Sequence, residues 1–154
     1  SAMSDEVVNL RGLDKLVKAL KVKTPTIRVG ILGSKDARAD SQSNATIGAA
    51  HEFGTTTIPQ RSFLRVPLID HLDKELKKSG INSKDNLNEV ISGGDLMPWL
   101  REIAVTAEAI VLEGFASQGY GKWAAWKNPN YMNNSGQVLI DKGYLRDSIT
   151  TDIK

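Results

Sequence analysis

The stretch Asp95-Leu-Met-Pro-Trp-Leu-Arg-Glu-Ile-Ala-Val-Thr-Ala-Glu-Ala-Ile-Val-Leu-Glu-Gly-Phe-Ala-Ser117 decides how the chain folds. Leu96, Leu100, Ile103, Ala107 and Ile110 recur at spacings of three and four, and Val111 and Phe115, four apart, widen them into one broad helix face. Pro98 falls in the first turn, where its missing N–H costs nothing. At 1.5 Å per residue, about 23 residues span roughly 35 Å, the width of a small domain. A broad apolar stripe on so long a helix predicts that the core is built on it.

The neighbouring segments are shorter. Asn9–Lys21 carries Leu10, Leu13, Val17 and Leu20 at helical spacing, with Asn9 placed to cap it and Pro25 preventing its continuation. Thr26–Leu32 alternates as a strand, with Ile27, Val29 and Ile31 on one side. Gly33–Ser43 is small and polar, and residues 34–43 are expected to be mobile. Asn44 is placed to cap a helix over 45–53 that ends at Gly54. Thr55–Pro59 reads as extended. Leu68, Leu72 and Leu76 mark a helix from about Val66 to Ser79 that Gly80 stops, and 83–92 holds another short helix. At the far end, Ile149, Thr151 and Ile153 alternate as a strand does, while Leu145 and Ile149 also fit one helical turn. Pairing the first strand with the last would close a sheet.

Helices and strands mix without a βαβ rhythm, so the expected class is α+β. A small antiparallel or mixed sheet would pack against the long helix (about 95–117) and the shorter amphipathic ones. Length agrees with one domain: 154 residues can bury a core of their own. Ser1-Ala2 ahead of Met3 reads as a tag remnant, leaving 3–154 as the domain.

Composition narrows the function. Hydrophobic residues make up 40% and charged residues 25%, as in an ordinary globular protein. The net charge is +2, and no third of the chain exceeds two net charges, so no electrostatic grip on nucleic acid is indicated. With no cysteine and two histidines, thiolate chemistry and cysteine-based zinc sites are excluded. No apolar run reaches about 18 residues, so no transmembrane helix is expected, and without a charged n-region followed by an apolar h-region no secretory signal is expected either.

Chemistry-bearing motifs are few. His51-Glu52 has the start of a zinc-protease motif, but Thr55 stands where the second histidine belongs. A metal-dependent hydrolase built on His51, Glu52 and His71 is therefore the weakest reading. Nothing assembles a nucleophile, a base and an oxyanion donor, so no catalytic residue, cofactor or metal is expected. The unusual feature is aromatic: Tyr120, Trp123, Trp126 and Tyr131 alternate with Lys122 and Lys127 in a glycine- and asparagine-rich loop. Such a loop over 120–131 can stack single-stranded bases, anchor a protein interface, or fold back to plug the edge of the core. Arg61 and Arg65 flank Phe63 and Leu64, a mixture suited either to an interface or to a loop–helix junction with both apolar residues buried.

Two passages carry a family likeness. Ala45-Thr-Ile-Gly-Ala-Ala-His-Glu-Phe-Gly54, followed by Ile58-Pro-Gln-Arg-Ser-Phe-Leu-Arg65, resembles a signature of phage virion morphogenesis proteins. Val138-Leu-Ile-Asp-Lys-Gly-Tyr-Leu-Arg-Asp-Ser-Ile149 is similar to the family's closing pattern, Leu-Ile-Asp-Thr-Gly-x-Leu-x-x-Ser-Ile. Gly121-Lys-Trp123 matches a tryptophan-containing loop after the long helix. The likeness extends over residues 27–69 and 100–154. Lys142 replaces the usual threonine, and Asn128–Asn134 replaces a Thr-x-x-x-Lys segment.

The resemblance implies a non-enzymatic neck or tail-completion component of a tailed phage or prophage, made in the bacterial cytoplasm and built into the virion. Its partners would be other neck or tail proteins and copies of itself in a ring. Arg61, Phe63, Arg65, Tyr120, Trp123 and Trp126 are the candidate interface, with Gly54 and Gly143 as structural turns. The alternative is a nucleic-acid-associated module using the 120–131 loop.

Overall fold

The computed structural model describes residues 25–37, 43–125, 137–140 and 143–154. Two strands, β1 (Ile27–Ile31) and β2 (Ile149–Ile153), form an antiparallel sheet. Five helices belong to the described residues: α1 (Asn44–Phe53), α2 (Arg65–Ser79), α3 (Lys84–Gly93), α4 (Met97–Ala116) and the single turn α5 (Tyr144–Asp147). The class is α+β, with α4 in the middle, packed against α2 and against both strands.

The register of the sheet follows from its alternation. Ile27, Val29 and Ile31 stand opposite Ile153, Thr151 and Ile149, so one face is apolar and turns to α4. Thr151 Oγ1 donates to the Glu108 carboxylate of α4 at 3.1 Å, fixing the level at which strand meets helix. Beyond the strands, Thr26 and Lys154 exchange two backbone hydrogen bonds, 2.6 and 3.0 Å.

The core gathers Phe63, Val111, Phe115, Ile140, Leu145 and Ile149, with Val111 and Phe115 fully buried. Phe63 and Phe115 meet at 5.3 Å between ring centroids. Helix α1 joins this cluster through Gly48, where a Cβ would lie 3.0 Å from Ile31 and 3.2 Å from Phe63.

Several boundaries differ from the sequence reading, each for a local reason. Ser43, not Asn44, caps α1 by accepting from Thr46 N at 3.2 Å. The Asn44 side chain turns back to donate to Lys35 O instead. The polar loop before α1 begins as a 3₁₀ turn, Gly33–Asp36, and its ends are tied together. Asp36 accepts from Ala45 N at 2.7 Å and from the Ser43 hydroxyl at 2.8 Å, which holds its carboxyl below the usual range. Residues 38–42 of that loop lie outside the described residues, as does the helix expected over 9–21. Thr55–Ile58 is turned rather than extended, with Thr55 N donating to Ile58 O and Thr55 Oγ1 accepting from Ile58 N. The 144–153 piece, legible as helix or strand, is both: α5 first, then β2.

Candidate functional site

Helix α2 begins with Leu64 at the cap position, a side chain with no acceptor to offer. Its first N–H groups need one all the same. Glu52, near the end of α1 and only 4% exposed, supplies it. Its carboxylate accepts from Phe63 N (2.9 Å), Leu64 N (3.1 Å) and Arg65 N (3.0 Å), from the Ser62 hydroxyl (2.7 Å) and from Arg65 Nε (3.2 Å). Negative charge also suits a helix N-terminus. Ser62 Oγ then accepts from Val66 N at 3.0 Å. With both oxygens committed to five donors, Glu52 caps α2 and has no free lone pair for a base or a metal ligand.

His51, beside it, gives its backbone oxygen to Arg61 N. Its Nδ1 is buried without a hydrogen bond, and burial, with the Arg61 charge adding, lowers the imidazole's pKa. His71 stands apart on α2, stacked on Tyr120 with centroids 3.9 Å apart. The structure therefore does not bring His51, Glu52 and His71 together as ligands. Among the described residues no three His, Asp or Glu side chains cluster to hold a metal.

The six interface candidates divide. Arg61 is only 5% exposed, and its Nε donates to Ala124 O (2.7 Å) and its Nη2 to Ala125 O (3.1 Å). Phe63 lies in the core. Trp123 folds back over it, edge-on to Phe115 at 5.6 Å, with Nε1 donating to Ser62 O at 3.1 Å. Tyr120 is half-buried, and its hydroxyl donates to Ile110 O at 2.9 Å. Burial foremost, with Glu113 and Glu75 near, raises the phenol's pKa. Arg61 and Phe63 are thus buried supports, while Tyr120 and Trp123 are partly buried and tied to backbone oxygens inside the fold. Trp126, like Tyr131, lies outside the described residues.

Arg65 alone among the described candidates faces outward, with a half-exposed side chain. Its guanidinium sits 4.7 Å from the centroid of the Phe53 ring, which is 62% exposed. Val66 and Ile69 follow on the same side of α2, and Ile69 is 77% exposed. Phe53, Arg65, Val66 and Ile69 make an apolar patch around one cation. Phe53, Val66 and Ile69 were missed in the sequence, although an aromatic before Gly54 and an isoleucine off the Leu68–Leu72–Leu76 line were the available signals.

Val66 also lines a cleft of about 190 Å³ with Ser62, Pro67, His71, Tyr120 and Trp123. At its rim Lys122 Nζ meets Asp70 at 3.0 Å, and this pair holds the Asp70 carboxyl below its usual range. The two turn glycines are both structural. Gly143 has φ 79 and leads into α5. Gly54 has φ 74 and ψ 166, outside the left-handed helical region expected of it, and packs where a Cβ would lie 3.0 Å from Gln60 N.

No helix among the described residues is long and apolar enough to cross a membrane. Comparison of the chain with family models, curated proteins and solved structures finds no match.

Proposed function

We propose that the protein is a non-enzymatic structural component of a tailed phage or prophage particle, acting in tail completion or head–tail joining through protein–protein contacts. The observation that supports this reading is where the resemblance segments lie. The 45–54 helix, the 58–65 segment, the Gly121-Lys-Trp123 loop and the closing passage from Val138 all meet on one node of Glu52, Arg61, Phe63 and Trp123. Residues that carry the likeness are spent on holding a scaffold rather than on presenting reactive groups.

What the scaffold presents is the Phe53–Arg65–Val66–Ile69 patch. An exposed aromatic and an arginine among aliphatic residues have the composition of an interface centre. In a ring, each subunit would use this patch against a different surface of its neighbour or of a neck or tail partner.

Complementation of a phage lacking this gene tests the reading, using Arg65→Glu and Ile69→Asp proteins that remain folded. Filled heads and unjoined or defective tails should accumulate. Normal assembly by the deletion phage rules out the structural role; normal particles from both variants rule out the patch. Tight, salt-sensitive binding in a single-stranded DNA titration would favour a nucleic-acid module instead.

A further inference from the structure

The sheet has two strands among the described residues, and its register says which backbone groups are left over. Thr26 and Lys154 exchange two hydrogen bonds. Alternation then makes Arg28↔Asp152 and Gly30↔Thr150 the pairs that bond to each other inside the sheet. The N–H and C=O groups of Ile27, Val29 and Ile31 therefore point away from β2, and those of Thr151 and Ile153 point away from β1. Among the described residues these outward backbone groups have no hydrogen-bond partner.

Open edges are ordinarily guarded by a proline, a bulge or an unopposed charge. Neither strand contains a proline, and the register runs from Ile27↔Ile153 to Ile31↔Ile149 without a bulge. Each strand carries one charge, and the two cancel: Arg28 Nε donates to the Asp152 carboxylate at 2.7 Å. Apart from Gly30 the remaining residues are Ile, Val and Thr, which suit a strand that gains a neighbour.

The ligand that satisfies alternating N–H and C=O groups is another extended strand. We propose that the outer edge of β2 pairs antiparallel with the outer edge of β1 from a second copy of the chain. The register of the sheet itself is carried across, with Thr151 opposite Val29 of the second copy. Charge selects this arrangement. Asp152 then stands opposite the second copy's Arg28, so opposite charges alternate along the joined sheet. Pairing β1 with β1 about a two-fold axis through Val29 instead sets the two Arg28 side chains on a diagonal, and pairing β2 with β2 does the same with Asp152. Joining two different edges is a heterologous contact, which repeats from copy to copy and closes a ring or runs on as a filament. It deepens the ring reading of the function and rests on that reading for its role in a particle.

A charge exchange on purified protein tests the pairing. Arg28→Asp/Asp152→Arg keeps the ion pair inside each chain, so the variant should fold, checked by circular dichroism, and associate with itself. Mixed with the parent, it sets Asp against Asp or Arg against Arg at every joint. Sedimentation of labelled mixtures should show parent–variant association about tenfold weaker than either protein's association with itself. Amide exchange of the parent alone gives a second readout. The Val29 and Thr151 N–H groups should exchange fast in dilute protein and slow as concentration rises, while those of Arg28 and Asp152 stay protected throughout. A chain that is monomeric at every concentration, or free mixing of parent with variant, overturns the inference. Preferential mixing also overturns it and assigns a two-fold pairing of like edges. Sedimentation reads the pairing and phage complementation reads the particle role, so each can fail without the other.

Discussion

Gly119 lies so close against Trp123 that a Cβ built on the glycine would sit 2.2 Å from the indole Cδ1. The glycine also has φ 71, within a run of positive φ angles from Gln118 to Gly121. This tight turn throws the chain back after α4 and lays the indole over Phe115. Gly119→Ala should cost about 1–3 kcal/mol through overpacking, with the positive φ adding strain. Urea denaturation followed by circular dichroism measures it. An unchanged midpoint would mean that the turn relaxes freely.

Replacing Glu52 by Gln is isosteric but removes the charge and turns one acceptor into a donor. At about 1.5–3 kcal/mol for each hydrogen bond to a charged group, the loss of two or more should destabilise the fold by roughly 3 kcal/mol or above. Glu52→Ala should be as severe, since it leaves the Phe63, Leu64 and Arg65 N–H groups without their acceptor. Thermal or urea unfolding of both variants decides it. Near-parental stability in either would show that water caps α2 equally well.

Acid should weaken the protein before the carboxylates titrate. The folded protein keeps His51 neutral below its ordinary pKa of about 6.5, whereas the unfolded chain takes up the proton there. Stability from this group is present above about pH 6.5 and falls as pH drops toward the lowered value. Asp36 and Asp70, both shifted down, add losses in the same direction only at lower pH, below about 4. Unfolding free energies measured across this range should show a slope below about pH 6.5 that His51→Gln removes. A slope unchanged in that variant assigns the effect elsewhere.

Arg61→Lys keeps a positive charge but not the planar fork that serves Ala124 and Ala125 together. A cost of about 1–3 kcal/mol is expected for the loosened contacts. Faster amide exchange should appear over residues 120–125 while α4 stays protected. Equal exchange in parent and variant would mean that Trp123 alone holds the segment.

Periodicity made most of the architecture legible. Seven apolar residues at helical spacing located α4, and period-two alternation at both ends of the chain located the paired strands. The site was less legible because its determinants are long-range polar contacts. Glu52 serves donors ten to thirteen residues away, and a carboxylate on a helix otherwise reads as a solvated face. Arg61 and Trp123 looked like surface anchors for the same reason. Only the folded chain places the Ala124, Ala125 and Ser62 oxygens where they satisfy those two side chains. Gly143 was readable because its left-handed backbone calls for glycine; Gly54 was readable as a turn glycine, but its conformation and its close approach to Gln60 were not.

Strands β1 and β2 meet across nearly the whole chain, with Arg28 and Asp152 paired although 124 positions separate them. Closing so long a loop is entropically slow, so the sheet belongs to the late steps of folding. During synthesis β1 emerges well before the strand that satisfies its backbone groups, and waits with them unpaired while α1 to α5 are made. A message truncated before codon 149 would therefore release a chain with α2 and α4 present but β1 left as an open edge, a template for aggregation rather than a shortened working protein.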